Sequence, residues 1–477
     1  MTPKQIAAFA VGPIGAAAIS FITLPFIAWF FSAEDIGRLT MLQVSLGLST
    51  ALFSLQMHQA YVREYHEVEN KGLLFKEAIF PGFILLLLVI VVVLALPLSI
   101  SGLIFGVESK YIGTLFILAL FFNFFINFQT HVVRMQERGW LYSLSQIIPK
   151  VSFILFIGIV VAIGMQNSFE NLMLMQFLSI SLLFVIIFVF TRRTYIEAFK
   201  SKVSWQSISR MLRFSLPLVA GGIAYWGLTA LDRLMLRKYA SFDELGVYSI
   251  ALSIAGAAAI FSSIFSNIWH PMVYKWVKAE VDPQRIINAN SFILLLISLI
   301  WCGFGLFSWI FTYFLPVNYL AVKYLIVGCI AAPLLYMLSE TTVVGIGITR
   351  RSAFAMLASI LAFIVGLISN LTLTPLIGAK GAAISTMIAF TAFLIVRTES
   401  SCFLWYQLPR LKLYLIVLFL IMASLTMILY EPNALESFLG WGGLLAIMLL
   451  IQRNALISSI KKLYQMIFLK EGWSHEF

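Results

Sequence analysis

Residues 78–96 read AIFPGFILLLLVIVVVLAL, a stretch without a charged side chain. A helix of about 20 apolar residues is long enough to cross the roughly 30 Å hydrocarbon core of a bilayer. Similar stretches recur along the whole chain, and the segments between them carry the charges and the turn residues. The pattern predicts an all-α, polytopic membrane protein.

The composition agrees with this prediction. Of the 477 residues, 61% are hydrophobic and only 11% are charged, and the mean hydropathy is +0.97. A soluble domain has roughly a quarter of its residues charged. Cys302, Cys329 and Cys402 lie in apolar segments without metal-ligand spacing, so we expect them to serve packing. The sequence predicts no disulfide framework, no metal site and no cofactor.

The apolar stretches predict about 14 membrane-spanning helices. The first six lie near residues 5–31, 37–61, 78–106, 111–133, 141–165 and 169–190. The next six lie near 212–236, 244–270, 286–315, 319–342, 352–374 and 380–399, and the last two near 412–430 and 437–452. The predicted domains are an N-terminal six-helix lobe (1–191), a basic cytoplasmic connector (192–211), a C-terminal six-helix lobe (212–400) and two extra helices with a tail (401–477).

Two further patterns describe the organisation of these lobes. SAEDIG at residues 32–37 and SFDELG at residues 241–246 each follow the first helix of a lobe and share a serine, two acids, an aliphatic residue and a glycine. Many transporters consist of two similar halves, so we predict a parallel, pseudo-symmetric repeat. In the connector, the spacing of Trp205, Ile208, Met211 and Leu212 predicts an amphipathic helix on the membrane surface.

The distribution of positive charge predicts the orientation of the chain. With a cytoplasmic N-terminus, 25 of the 32 Lys and Arg residues fall on the cytoplasmic side. The positive-inside rule then places both termini in the cytoplasm. The residues left on the opposite side are Arg38, Lys110, Arg233, Arg237, Lys238, Lys323 and Lys380. The net charge of +11 therefore needs no nucleic acid as a partner, because no basic run is long or interleaved with aromatic residues.

Polar residues inside the apolar stretches are candidates for function, because hydrocarbon does not solvate them. The second, fourth and seventh helices carry polar stripes: Gln43, Gly47, Thr50, Ser54, His58 and Tyr61; Asn123, Asn127, Thr130 and Arg134; and Gly222, Tyr225, Thr229 and Asp232. Interhelical hydrogen bonds of about 1 kcal/mol each are one explanation. Stripes in both lobes favour a shared hydrated cavity. The residues predicted to line it are Asn123, Asn127, Thr130, Tyr225 and Thr229.

The basic residues predict what such a cavity would hold. Lys150 lies well inside an apolar stretch, deeper than a membrane anchor usually sits, and a basic group there could hold a phosphate. Arg63 and Arg134 lie near cytoplasmic helix ends, where interfacial anchoring is an equally good explanation.

Other ionisable residues leave two explanations open. Asp232 and Arg233 could form a local ion pair near the outer end of the seventh helix. Glu340 could bind a coupling cation, or it could pair with Arg350 or Arg351. The histidines show no metal-ligand spacing, and their positions favour hydrogen bonding at helix ends. These histidines are His58, His131 and His270.

Several segments resemble one known family. RFSLP (213–217) follows the connector, and DRLML (232–236), ELGVYSIA (244–251) and PLIGAKGAAIST (375–386) come later. Together with SAEDIG and the sequence Arg63-Glu64-Tyr65, they are similar to segments of the Wzx-like, O-antigen-type flippases of the multidrug/oligosaccharidyl-lipid/polysaccharide exporter superfamily. The resemblance spans essentially the whole chain.

This resemblance implies two six-helix lobes around a central cavity in the bacterial inner membrane. Alternating access would carry an undecaprenyl-pyrophosphate-linked oligosaccharide from the cytoplasmic to the outer face, driven by a proton or a sodium ion. The candidates for a cationic headgroup site are Arg63, Lys150, Arg134 and Arg233. The candidates for ion coupling are Asp232 and Glu340. Membrane lipids and the proteins that polymerise the glycan and set its chain length are the implied partners.

Two rival functions fit less well. A drug or cation antiporter of the same superfamily would use acidic residues deep in the N-terminal lobe, and the predicted spans there have none well inside them. A membrane enzyme, such as a glycan polymerase or ligase, would need a sizeable outer loop and a catalytic constellation. The sequence shows no nucleophile, metal or phosphate-loop motif of that kind. It therefore predicts a transporter without catalytic residues.

Overall fold

A computed structural model describes residues 3–96, 99–279, 284–351, 353–458 and 461. Apart from turns, the regular structure of these residues is helical, which confirms the all-α prediction. The first ten helices are α1 (Pro3–Ile27), α2 (Ala33–Phe53), α3 (Met57–Glu64), α4 (Lys71–Ala95), α5 (Ile100–Phe105), α6 (Lys110–Met135), α7 (Gly139–Ile163), α8 (Phe169–Lys200), α9 (Trp205–Tyr239) and α10 (Phe242–Ala255).

The remaining helices also differ widely in length. They are α11 (Ala257–Lys278), α12 (Gln284–Phe307), α13 (Phe311–Phe314), α14 (Val322–Cys329), α15 (Ala331–Thr342), α16 (Val344–Ile348), α17 (Ala353–Leu404), α18 (Leu411–Tyr430) and α19 (Ala434–Ile451). Short 3-10 turns at Ser308–Ile310 and Val317–Tyr319 join α12 to α13 and α13 to α14. The predicted tail beyond residue 461 lies outside the described residues.

In the described part of the chain, 12 helical segments are long and apolar enough to cross a membrane. One of them, α17, has 52 residues and is interrupted by non-helical backbone at Ile377 and Gly378, so it comprises two spans. The apolar helix α1 is a further candidate. Counted this way, the described residues include about 14 candidate spans, in line with the approximate number predicted.

The chain divides into two compact units. The first consists of Met1–Ile254 and Asn370–Ala382, and the second of Ala255–Ser369 and Ala383–Phe477. The two repeated motifs both belong to the first unit, where α2 and α10 pack against each other through the motif glycines. The lobe boundaries placed at residues 191 and 212 stay a prediction.

The core of the first unit lies where α3, α4, α6 and α9 meet. Met57, Tyr61, Phe75 and Phe128 are almost fully buried there. Because lipid is as apolar as these side chains, close packing and hydrogen bonds hold such helices together.

The segment that joins α8 to α9 is shorter than predicted. α8 continues to Lys200 and α9 begins at Trp205, so only four residues lie between them. Ile208 and Met211 are buried in the first turns of α9, whereas Trp205 is exposed. The prediction of a separate surface helix is therefore wrong, because these residues form the first turns of the long helix α9.

The short link is fixed to the start of α4. The backbone N–H of Ser204 donates to Glu77 Oε1 at 2.8 Å, and Lys76 Nζ donates to the carbonyl oxygen of Ser201 at 3.0 Å. Glu77 is buried, and it provides an acceptor at the N-terminus of α9, where backbone N–H groups lack helical partners.

Candidate functional site

Lys150 lies on the interior-facing side of α7. Ser143, Phe153 and Ile157 share its side of the helix, and all three are buried. Lys150 itself is half-buried, and it makes no hydrogen bond or ion pair with any residue that the structure describes. An ammonium group in a membrane-spanning helix needs water or an anion when the protein offers it no partner. This placement suits the predicted phosphate ligand.

The second predicted helix is divided into α2 and α3. Leu55 and Gln56 between them adopt left-handed backbone, with φ of 47° and 53°. For non-glycine residues this conformation costs about 1–3 kcal/mol each and persists only where the surroundings enforce it. The break separates Ser54 from His58, so the polar stripe predicted on this helix is not one continuous face.

Two glycines on neighbouring helices make room for the break. A Cβ atom on Gly82 of α4 would clash with the carbonyl oxygen of Phe53. A Cβ atom on Gly222 of α9 would clash with the side-chain amide of Gln56. The break is therefore enclosed by α4 and α9, which explains why this backbone can be irregular.

After the break, His58 of α3 lies against His131 of α6. The two ring centroids are 4.5 Å apart, and the rings are tilted by 41°. Four buried polar atoms of this helix pair have no hydrogen-bond partner among the described residues: His58 Nδ1, Tyr61 Oη, Asn127 Nδ2 and Gln129 Oε1. Buried polar atoms are nearly always paired in folded proteins, so such a concentration marks a candidate site for water, a proton or a ligand.

The sequence did not predict this contact between histidines. His131 bonds to a backbone carbonyl at a helix end, as its position favoured, since its Nδ1 lies 2.8 Å from the carbonyl oxygen of Asn127. The pairing with His58 depends on the backbone break, and no proline or glycine at the break indicates it in the sequence. The side chain of His270 lies outside the described residues.

Arg63 and Arg134 extend from the same end of the α3 and α6 pair. Each lies in the last turn of its helix, and both are exposed. The Arg63 guanidinium stacks over the ring of Phe214, 4.5 Å from its centroid. Arg134 makes no hydrogen bond or ion pair with a described residue. The helix dipole favours a cation at this position, so both residues also have a structural explanation.

Arg233 lies far from that end. Phe214 and Arg233 are on the same continuous helix, and at about 1.5 Å per residue they are roughly 28 Å apart, close to the thickness of the hydrocarbon core. Arg233 Nη2 donates to the carbonyl oxygen of Thr229, and Nε lies 3.5 Å from Asp232 Oδ1. The structure therefore does not bring Arg233 together with Arg63 and Arg134.

Asp232 is a buried carboxylate that already has donors. Tyr248 Oη donates to Oδ2, and the backbone N–H of Arg233 donates to Oδ1 at 2.8 Å. A coupling ion at this carboxylate would have to compete with the Tyr248 hydroxyl.

Glu340, in the second unit, forms a buried ion pair with Arg397. Arg397 Nη1 lies 2.7 Å from Glu340 Oε1 and 2.7 Å from Ser339 Oγ. The guanidinium also lies over the ring of Phe393, 4.9 Å from its centroid. The ion-pair partner of Glu340 is therefore Arg397 in the second half of α17, and not Arg350 or Arg351, the alternatives that the sequence suggested.

The remaining predicted cavity residues are bound in different ways. Asn123 joins α6 to α2, because its Nδ2 donates to Thr50 Oγ1 at 2.9 Å. Thr130 and Thr229 donate to carbonyl oxygens of their own helices. The Tyr225 side chain is exposed. Interhelical bonding accounts for Asn123, whereas Asn127, with its unpaired amide, is better placed to meet a ligand or water.

A protein family described as "Polysaccharide biosynthesis protein" matches residues 4–277, more than half of the chain. The chain belongs to this family. The match confirms the resemblance to the Wzx-like flippases that the motifs predicted.

Similar proteins agree with this assignment. The curated "Lsg locus putative protein 1" of Haemophilus influenzae is 22% identical over 291 residues, which cover 58% of this chain and 67% of that protein. A solved structure described as "Lipid II flippase MurJ, inward closed conformation" has a TM-score of 0.66 at 14% identity, covering 96% of this chain and 99% of the other.

A second solved structure is the "Inward-facing conformation of a multidrug resistance MATE family transporter of the MOP superfamily". It has a TM-score of 0.58 at 15% identity, covering 82% of this chain and 94% of the other. At these identities the structures show the fold alone. This polysaccharide biosynthesis protein therefore shares its fold with a lipid II flippase and with a multidrug transporter.

Proposed function

We propose that this polysaccharide biosynthesis protein is a flippase that moves an undecaprenyl-pyrophosphate-linked oligosaccharide from the cytoplasmic to the outer face of the bacterial inner membrane. Alternating access would carry the headgroup while the prenyl tail stays among membrane lipids. Both termini would lie in the cytoplasm, in keeping with the positive charge on that side. The family and the flippase-type fold support transport of a lipid-linked glycan.

The observation that carries the proposal is the unpaired ammonium group of Lys150. A pyrophosphate accepts charge-assisted hydrogen bonds, which are among the strongest available to a lysine. A cationic drug, the substrate of the rival antiporter function, would instead be repelled by this group. The placement of Lys150 on the interior-facing side of α7 therefore favours an anionic substrate.

The other basic residues would meet the headgroup at different stages. Arg63 and Arg134, exposed at one end of the first unit, would receive the pyrophosphate from the cytoplasmic face. Arg233, roughly a bilayer thickness away along α9, would meet the headgroup near its release. Asn127 and the other polar residues of the predicted cavity would contact the sugars.

A proton or sodium ion would drive the cycle. Asp232 and Glu340 are candidate ion sites, and in each case a protein partner would have to give way: the Tyr248 hydroxyl for Asp232 and the Arg397 guanidinium for Glu340. The exported glycan would then pass to the proteins that polymerise it and set its chain length.

The proposal is tested by deleting the gene from its host and measuring the lipid-linked glycan on each face of the membrane. We expect accumulation on the inner face, reversed by the wild-type gene and by Lys150→Arg but not by Lys150→Gln. Lys412→Gln removes an exposed lysine at the start of α18 and is the matched control, which we expect to restore export. Equal distribution of the glycan in the deletion strain would contradict the proposal.

A further inference from the structure

The contact between His58 and His131 joins α3 to α6 in a form that protonation would disrupt. Their rings are tilted by 41° with centroids 4.5 Å apart, and His58 is buried. Two neutral imidazoles can pack in this way. A charged imidazolium needs water or an anion, and two of them repel each other.

The hydrogen bonds of the two rings are compatible with neutral imidazoles. His131 Nδ1 faces the carbonyl oxygen of Asn127, so this nitrogen carries the hydrogen and donates. His58 Nε2 lies 3.2 Å from the amide nitrogen of Gln59, which can only donate, so Nε2 is the acceptor and the hydrogen is on Nδ1. That buried Nδ1–H has no partner among the described residues.

The carboxylates on the surrounding helices are committed elsewhere. Glu64, on the same helix as His58, accepts from Arg210 of α9 at 3.1 Å. Glu77 of α4 accepts the backbone N–H of Ser204. These two carboxylates are therefore bonded to other partners and do not serve as counterions of the rings.

The remaining charged and titratable neighbours would not stabilise a proton on the pair. Arg134 of α6 is a cation near His131 and would repel a proton there. Arg63 of α3 is stacked on Phe214. The hydroxyl of Tyr195 on α8 accepts a hydrogen bond from Gln129 Nε2 of α6 at 2.9 Å. A proton arriving at the pair would therefore be solvated only if the helices moved to admit water.

The ionisation of His58 fits this picture. The helix α3 has eight residues and is too short to cross a membrane. Burial, and then the neighbouring His131, lower the pKa of His58 from 6.5 to about 3. In an open arrangement the ring would return to water and to an ordinary pKa, so the open form would bind protons more tightly. Acid then favours opening, with an effect that is absent well above pH 6.5 and grows below it.

The geometry points to His58 and His131 as a proton-operated switch, in which protonation of the pair separates α3 from α6 at the end of the unit that carries Arg63 and Arg134. Movement of α3 is feasible because the backbone break at Leu55 and Gln56 precedes it. The inference deepens the proposed function, since it supplies a proton site for the driving ion that is separate from Asp232 and Glu340.

The switch is tested by measuring the distance between α3 and α6 in the full-length protein in lipid nanodiscs. Spin labels at Glu67→Cys and Glu137→Cys report this distance from exposed positions after the three buried cysteines are replaced by alanine. We expect one short distance at about pH 8 and a second, longer one at about pH 5. The ratio of open to closed molecules should rise by up to about tenfold per pH unit below the open-form pKa.

Substitutions of single histidines distinguish the effect of the His58–His131 pair from that of other groups that titrate between about pH 5 and pH 8. His58→Gln and His131→Gln should each abolish the pH response, so either suffices if the other fails to fold. His66→Gln removes an exposed histidine just beyond α3 and should keep the response. Identical distances at both pH values in the unsubstituted pair, or a response that survives in the His58 and His131 variants, would overturn the switch. Because no glycan is present, such a failure would leave the proposed function standing.

Discussion

Gly37 and Gly246 each pack where the backbone of the other's motif leaves no room for a side chain. A Cβ atom on Gly37 would clash with the carbonyl oxygen of Phe242, and one on Gly246 would clash with the carbonyl oxygen of Ala33. Ala33 precedes Gly37 by the same number of residues as Phe242 precedes Gly246. The contact is therefore reciprocal, as a parallel repeat would require, and it uses small residues for close helix approach.

Replacement of either glycine should weaken the first unit. We expect Gly37→Ala or Gly246→Ala to lower the free energy of unfolding by about 1–3 kcal/mol, because a carbonyl oxygen of the facing helix must move. Thermal unfolding of the purified protein in detergent measures the effect. Gly158→Ala on α7, where an added Cβ atom meets nothing within 4 Å, is the control. Equal melting temperatures for all three variants would contradict this account of the repeat contact.

The predicted repeat would place ionisable residues at corresponding points of the two halves. Glu340 lies as far beyond Gly246 as His131 lies beyond Gly37. In the first unit His131 contacts a second histidine, and in the second unit Glu340 pairs with Arg397. Under the predicted repeat, corresponding positions would therefore carry different chemistry.

The Glu340–Arg397 pair should show strong energetic coupling. Arg397→Met removes the guanidinium from beside a buried carboxylate, which costs roughly 3–5 kcal/mol, whereas the double change with Glu340→Gln should cost much less than the sum of the two single changes. A double-mutant cycle on thermal unfolding tests this. The partly exposed pair Arg410–Glu399 is the control, with an expected coupling much smaller than that of the buried pair. Additive losses at Glu340 and Arg397 would show that the ion pair does not form.

A glycine at position 222 should be needed for stability and export only when residue 56 carries the glutamine side chain. We expect Gly222→Ala to lower both thermal stability and surface glycan, because the new methyl group meets the Gln56 amide at the backbone break. In a Gln56→Ala background the clash is removed, so the same change should have a smaller effect on both measurements. An unchanged effect in that background would mean that Gly222 does not serve the break.

Arg63 and Arg134 should contribute to glycan export without being required for folding. We expect Arg63→Gln and Arg134→Gln each to reduce surface glycan by about tenfold, the effect of losing roughly 1.4 kcal/mol of substrate interaction. Immunoblots should show normal protein levels. Arg193→Gln, at another exposed arginine, should export normally. Normal surface glycan in both test variants would remove these residues from the headgroup path.

The sequence predicted those features that depend on local composition. Apolar length placed nearly every span, and a lone lysine in an apolar stretch singled out Lys150. The break at Leu55 and Gln56 escaped prediction because the glycines that permit it, Gly82 and Gly222, belong to other helices. Contacts between distant segments, such as His58 with His131, depend on tertiary packing that periodicity does not report.

The central claim, that Lys150 binds the anionic headgroup during translocation, is tested most directly in proteoliposomes that contain an undecaprenyl-pyrophosphate-linked oligosaccharide. A membrane-impermeant lectin measures how fast the glycan appears on the opposite face. The account predicts rapid appearance with the wild-type protein and a rate at least about tenfold lower with Lys150→Gln, a loss of roughly 1.4 kcal/mol or more. Equal rates for the two proteins would contradict it.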